Sequence, residues 1–173
     1  MDLKLFLEKL SSYKIFNHLF PGIIFAAIGT KLTNTSFLYD NILIGIFVYY
    51  FYGIVISRVG SILVEPFLKK IRFIEFAPYS EYVIASKVDD KIELFSEENN
   101  MYRTLISTFF CLFTIHIFKK VITINSFISD NSTIFALFFL IILFSFSYRK
   151  QTMYIKLRIQ QAIQKNKETE KQK

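Results

Sequence analysis

Four blocks of apolar sequence run along a chain of 173 residues: Ile15 to Thr30, Ile42 to Val64, Leu105 to Phe118 and Ile134 to Tyr148, each closed by polar or charged residues. A helix needs about 20 apolar residues to cross hydrocarbon, with a lower limit near 17. Only the second block is comfortably long, so the others must recruit flanking Tyr, Lys or Arg whose polar ends reach the interface. A soluble bundle would carry a polar stripe at period 3.6 along every helix. Phe135 to Phe146 carries none, Ser145 being its only polar residue. The chain is 53% hydrophobic with 21 Phe, and its charges gather in a few segments, a distribution that makes lipid the expected solvent of the blocks.

The basic residues predict the topology. Three precede the first block (Lys4, Lys9, Lys14), six lie between the second and third (Lys69, Lys70, Arg72, Lys87, Lys91, Arg103), and eight follow the fourth, from Arg149 to Lys173. If all four blocks span, these share one side, and the other side receives only Lys31, Lys119 and Lys120. That bias assigns both termini and the central segment to the cytoplasm of a cell membrane. Ala27 and Gly29 offer the small residues of a signal-peptide cleavage site, but Pro21 and the amphipathic start favour a retained span. The net charge of +7 would suggest nucleic acid in a soluble domain. Here the excess sits in the tail after Arg149, where a juxtamembrane basic segment is attracted to anionic lipid at about 1 kcal/mol per residue.

The expected fold is all-α. It is a polytopic membrane domain over 1–148 with four transmembrane helices (about 15–30, 42–64, 104–118 and 134–148), followed by a basic cytoplasmic tail over 149–173. Leu3, Phe6, Leu7 and Leu10 face away from Asp2, Lys4, Glu8 and Lys9, which predicts an amphipathic helix lying on the membrane before Pro21 starts or kinks the first span. Two short polar turns, Thr30 to Asn41 and Lys119 to Thr133, leave no room for an external domain. The sizeable water-facing unit is the insertion 65–103, a cytoplasmic helical hairpin. Pro66 and Pro78 suit first turns of helices, and Asp90 with Glu93 makes a capping box for a helix running from Lys91 into the third span. The polar tail after Gln164 is expected to be disordered.

The second block is the most unusual element. At 100° per residue, Gly45, Tyr49, Gly53, Ser57 and Gly60 fall within one arc, and Tyr50, Arg58, Ser61 and Glu65 continue round from it. A Gly and Ser stripe lets another backbone approach closely, which is how membrane helices associate. That face is a candidate packing or pore face, and both a neighbouring span and a second subunit fit it. Arg58 needs a carboxylate, a carbonyl cage, water or lipid phosphate, and Glu65 lies seven residues on, about 10 Å along the axis.

Catalytic signatures are missing: no phosphate loop, no H-E-x-x-H, no paired Cys-x-x-Cys and no nucleophile elbow. The chain is therefore read as no enzyme, with no cofactor and no metal. His116 suits an interfacial hydrogen bond better than a proton path, and the lone Cys111 allows no intrachain disulfide.

The stretches Ser57-Arg58-x-Gly60-Ser61-x-x-x-Glu65-Pro66, Pro78-Tyr79-x-x-Tyr82 and Ser96-Glu97-x-Asn99-Asn100-x-Tyr102-Arg103-Thr104 cover about 48 residues. They resemble a pattern in a family of small, uncharacterised bacterial membrane proteins. In size and span number the chain is also similar to membrane components of anti-phage defence systems, such as the four-span subunit of Kiwa. Glu65, Asn99, Asn100, Tyr102 and Arg103 form a candidate cytoplasmic coupling cluster where the helix enters lipid, with Arg103 at the headgroups and the Asn amides capping the loop after the second span by pairing with Glu65. Two functions fit. One is an oligomeric inner-membrane sensor or effector that alters permeability, anti-phage defence being one setting, with a homo-oligomer, the lipid bilayer and a cytosolic protein as partners. The other is a non-catalytic anchor or scaffold that recruits a cytosolic partner.

Overall fold

The computed structural model describes residues 14–33, 35–89, 91–124, 128 and 131–171, so the expected amphipathic helix lies almost wholly outside the described residues. These residues form helices and no strand. A π-helical turn over Ile15–Leu19 leads into α1 (Phe20–Thr33). Next, α2 (Ile42–Val59) passes through a second π-turn (Gly60–Val64) into α3 (Glu65–Lys70) without a break. The short α4 (Tyr79–Ala85) precedes two long helices, α5 (Lys91–Ile124) and α6 (Ser132–Lys171).

Three helical stretches are long and apolar enough to cross a membrane: Ile42–Lys70, Lys91–Val121 and Ile134–Tyr154. The first block makes the 14-residue α1, which alone rises about 21 Å. Burial is inverted relative to a water-soluble bundle. Thr104, Ser107 and Thr108 are wholly enclosed, while Phe113, Phe138 and Ile141 are 64%, 61% and 65% exposed. Among the described residues nine buried side chains are polar or charged and nine are apolar, Pro21 included, so this interior is not an oil-like core. Each exposed Phe, Leu or Ile would forgo about 1.5–3 kcal/mol if water were its solvent. These helices are compatible with a multi-pass membrane protein.

Helix α1 packs on α2 and α5, α2 also packs on α5, and α6 docks along α2 and the second π-turn. Between α1 and α2 the loop folds back on its neighbours. The Phe37 amide donates to Thr30 Oγ1 (3.0 Å), and Asn41 Oδ1 caps α2 by accepting from the Leu43 and Ile44 amides (3.0 and 3.3 Å).

Several boundaries differ from those expected. Pro66 lies in the first turn of α3, as expected, but α3 continues α2 without a break, the π-turn just before it widening the backbone where the ring would strike the carbonyl four residues back. Pro78 is the residue immediately before α4. Helix α5 does run unbroken from Lys91, its first amide accepted by Asp89 Oδ1 at 3.0 Å, and it continues past Lys119 and Lys120 to Ile124. The tail after Gln164 is helical to Lys171 instead of disordered. Its Gln, Lys and Glu residues are good helix formers, and no Gly or Pro interrupts them.

Candidate functional site

The polar interior is built along α2 and α5. On α5, each enclosed hydroxyl donates one turn back: Thr104 to the Asn100 carbonyl (2.8 Å), Ser107 to Arg103 (2.7 Å) and Thr108 to Thr104 (2.9 Å). Self-satisfied hydroxyls let a second backbone come close without needing its donors. Thr104 Oγ1 also meets the Asn17 side-chain amide at 2.9 Å. Gly60 marks the crossing of the second π-turn with α5: a Cβ there would run into Ser107 Oγ and lie 3.4 Å from the Arg103 carbonyl. Gly53 similarly meets the backbone of His18, and Gly22 the Tyr49 carbonyl. Gly45 has the ring of Tyr49, one turn along its own helix, as its near neighbour at 3.2 Å. At Gly53 and Gly60, then, the Gly and Ser stripe meets this chain's own helices.

The second π-turn creates a defect that the fold fills with a lysine. The Glu65 amide donates to the Gly60 carbonyl, so Ser61 O loses the partner it would have in an α-helix. Its partner in a continued π-helix would be residue 66, and Pro66 has no N–H. That carbonyl instead accepts from Lys150 Nζ of α6 at 2.8 Å, and Ser61 Oγ accepts from the same ammonium at 2.8 Å. The third proton of Lys150 reaches Glu65 Oε1 at 3.3 Å. All three donors of Lys150 are therefore used on one turn of α2–α3.

Glu65 is the centre of the arrangement, its side chain only 7% exposed. Oε1 receives Lys69 (3.0 Å) and Lys150 (3.3 Å), and Oε2 receives Arg103 at 2.7 Å. One carboxylate thus holds α3, α5 and α6 together. The Lys69 pair is 43% exposed on the lysine side and contributes at most about 1 kcal/mol. The Arg103 and Lys150 pairs are better shielded, and breaking such a pair by removing one partner costs about 3–5 kcal/mol. Buried Arg103 Nε and Ser57 Oγ have no hydrogen-bond partner among the described residues.

Beside this hub opens a cavity of about 1140 Å³. Arg58, Ser61, Glu65 and Lys69 line it from the α2–α3 helix, Tyr79 and Tyr82 from α4, Ser96, Asn100 and Arg103 from α5, and Lys150 and Tyr154 from α6. Arg72 enters from the end of α3 through an unusual backbone. Its amide donates to Lys69 O (3.0 Å) and that of Phe73 to Leu68 O (2.9 Å), a Schellman ending whose left-handed position normally belongs to glycine. Here Arg72 takes that position, at φ 58°. Tyr79 packs against Tyr154 with ring centroids 5.4 Å apart and against Tyr82 at 6.3 Å.

Of the residues singled out in the sequence, Arg58, Ser61, Glu65, Asn100 and Arg103 come together at the cavity, but Glu65 takes Arg103, expected at the lipid headgroups, as its partner in place of the expected Asn amides. Asn99 and Tyr102 do not join them; both are exposed. Ser61 Oγ accepts from Lys150. Lys69, Arg72, Lys150 and Tyr154 escaped the sequence reading, since Lys150 and Tyr154 looked like members of a lipid-facing tail. The signal that could have found Lys150 is Pro66, whose missing N–H within a helix demands an outside donor for a carbonyl. No protein-family model, curated protein or solved structure matches the chain.

Proposed function

We propose that this chain is a small inner-membrane sensor and effector whose permeability responds to a signal received at the hub and cavity. Its spans are four, with α1 and its π-turn as the first, and the basic bias sets both termini and the segment after α3 in the cytoplasm. The observation that carries the reading is the convergence of three separate helices on Glu65, next to a cavity large enough for a ligand. An agent that competes for Arg103 or Lys150 would change how α5 and α6 are held against α2, and a ligand shifts an equilibrium by its differential affinity for the two arrangements. Because Gly53 and Gly60 are occupied by α1 and α5, assembly into a homo-oligomer would use the outer apolar faces. Anti-phage defence is one setting for such a device.

The test is a membrane-potential dye in cells overproducing the wild-type chain or Arg58→Gln. Depolarisation by the wild type that changes with Arg58→Gln supports the reading. An unchanged potential under every trigger tried contradicts it and favours a non-catalytic anchor. The anchor reading has its own support in α6, whose 40 residues extend about 60 Å, twice the hydrocarbon thickness of about 30 Å. That leaves a helical arm on which a cytosolic protein could dock.

A further inference from the structure

We infer that the cavity beside Glu65 binds a phosphorylated anion carrying two or more negative charges. The inference rests on the sensor reading only for its consequence, since binding itself is a property of the cavity.

Five basic side chains face this space: Arg58, Lys69, Arg72, Arg103 and Lys150. They come from three stretches of chain far apart in sequence. Two acids, Glu65 and Glu75, share the lining, which leaves a surplus of three positive charges. Cations gathered this closely repel one another, and one carboxylate binding three of them offsets only part of that repulsion. A phosphate carries about 1.5–2 negative charges near neutral pH and three strong acceptor oxygens, so one diphosphate group matches the surplus in both charge and hydrogen-bond demand. The remaining donors suit it too. Asn100, Ser96 and Gln151 bring neutral polar groups to the same wall.

The volume, about 1140 Å³, exceeds what inorganic phosphate fills and is above the range of about 300–1,000 Å³ usual for small-molecule pockets. The Tyr79, Tyr82 and Tyr154 cluster lies at the same cavity and offers aromatic surface to whatever the phosphate is attached to. Arg72 fits the assignment as well. A left-handed helix ending would be less strained with glycine, yet this one presents a guanidinium to the cavity. A soluble nucleotide diphosphate and an anionic lipid headgroup share this chemistry. The side of the bundle that holds the cavity is the one the basic bias assigns to the cytoplasm, where both occur.

Arg72→Gly makes a clean test, because glycine relaxes the backbone at φ 58° while removing one of the five charges. The full-length protein in nanodiscs of zwitterionic lipid would be titrated with inorganic pyrophosphate and with ADP, binding being read as a rise in thermal unfolding temperature. A second series would replace part of the lipid with cardiolipin. Saturable stabilisation by pyrophosphate or ADP, weakened about tenfold in Arg72→Gly and in Lys69→Gln, establishes the site with a soluble ligand. Stabilisation by anionic lipid alone, lost in the same variants, establishes it with a headgroup. No stabilisation in either series, or stabilisation equal in wild type and variants, overturns the inference. Binding that leaves the membrane potential untouched in the dye assay keeps the site and sinks the sensor reading instead.

Discussion

The two ends of this bundle are held together by different physics. Where α1 crosses α2, contact is backbone on backbone, Gly22 against Tyr49 and Gly53 against His18. Around it Phe25, Phe37 and Tyr52 pack with ring centroids 5.6–6.3 Å apart. Where α2 passes into α3, a single buried carboxylate gathers three cations beside a cavity of about 1140 Å³. The first end has no space for an added atom and is fixed by shape. The second has space in plenty and is fixed by charge, so it is the end at which a ligand or a change of partner could act.

Substitutions sharpen this contrast. The largest effect is expected at the charged end: Glu65→Ala leaves Arg103 and Lys150 without their anion and should cost about 3–5 kcal/mol in SDS-induced or thermal unfolding of the solubilised protein. At the glycine crossing, Gly53→Ala drives a methyl into the His18 backbone, and overpacking of this kind costs about 1–3 kcal/mol in the same assay. Raised salt should change the Gly53→Ala penalty far less than that of Glu65→Ala, since the added methyl meets uncharged backbone atoms. A Gly53→Ala penalty that varied with salt as much as that of Glu65→Ala would break the division proposed between the two ends. Lys150→Met keeps the length of the side chain but orphans the Ser61 carbonyl, at about 1–3 kcal/mol, and should loosen α6 alone. Accelerated proteolysis within α6, with α1 to α5 still protected, is the result that checks this. The smallest effect has the opposite sign: Arg72→Gly should stabilise the chain by about 1 kcal/mol by relieving the left-handed residue, even as it removes a cavity charge.

Much of the fixed end was legible in the sequence, and less of the charged end. Apolar block length announced the long helices, and the glycines of the second block announced close packing. The stripe Gly22, Ala26, Gly29 and Thr33 on α1, all buried, carries the same signal at spacings of four, three and four. Thr104, Ser107 and Thr108 do so on α5. Neither Arg103 nor Lys150 was read as a partner of Glu65: Arg103 was assigned to the lipid headgroups, and the role of Lys150 depends on a π-turn whose one trace in the sequence is Pro66. The length of α6 was missed for a related reason: polar composition predicted disorder, whereas helix-forming residues continuous with an apolar helix need no new nucleus.

The central claim is that Glu65 couples α6 to the α2–α3 helix through Lys150, and a double-mutant cycle measures it directly. Glu65→Gln, Lys150→Met and the combined variant would be unfolded in parallel in the same detergent. The account predicts a coupling of at least about 1 kcal/mol, the double variant being less destabilised than the two single losses together. Additive losses would mean that the two residues act independently, and would contradict it.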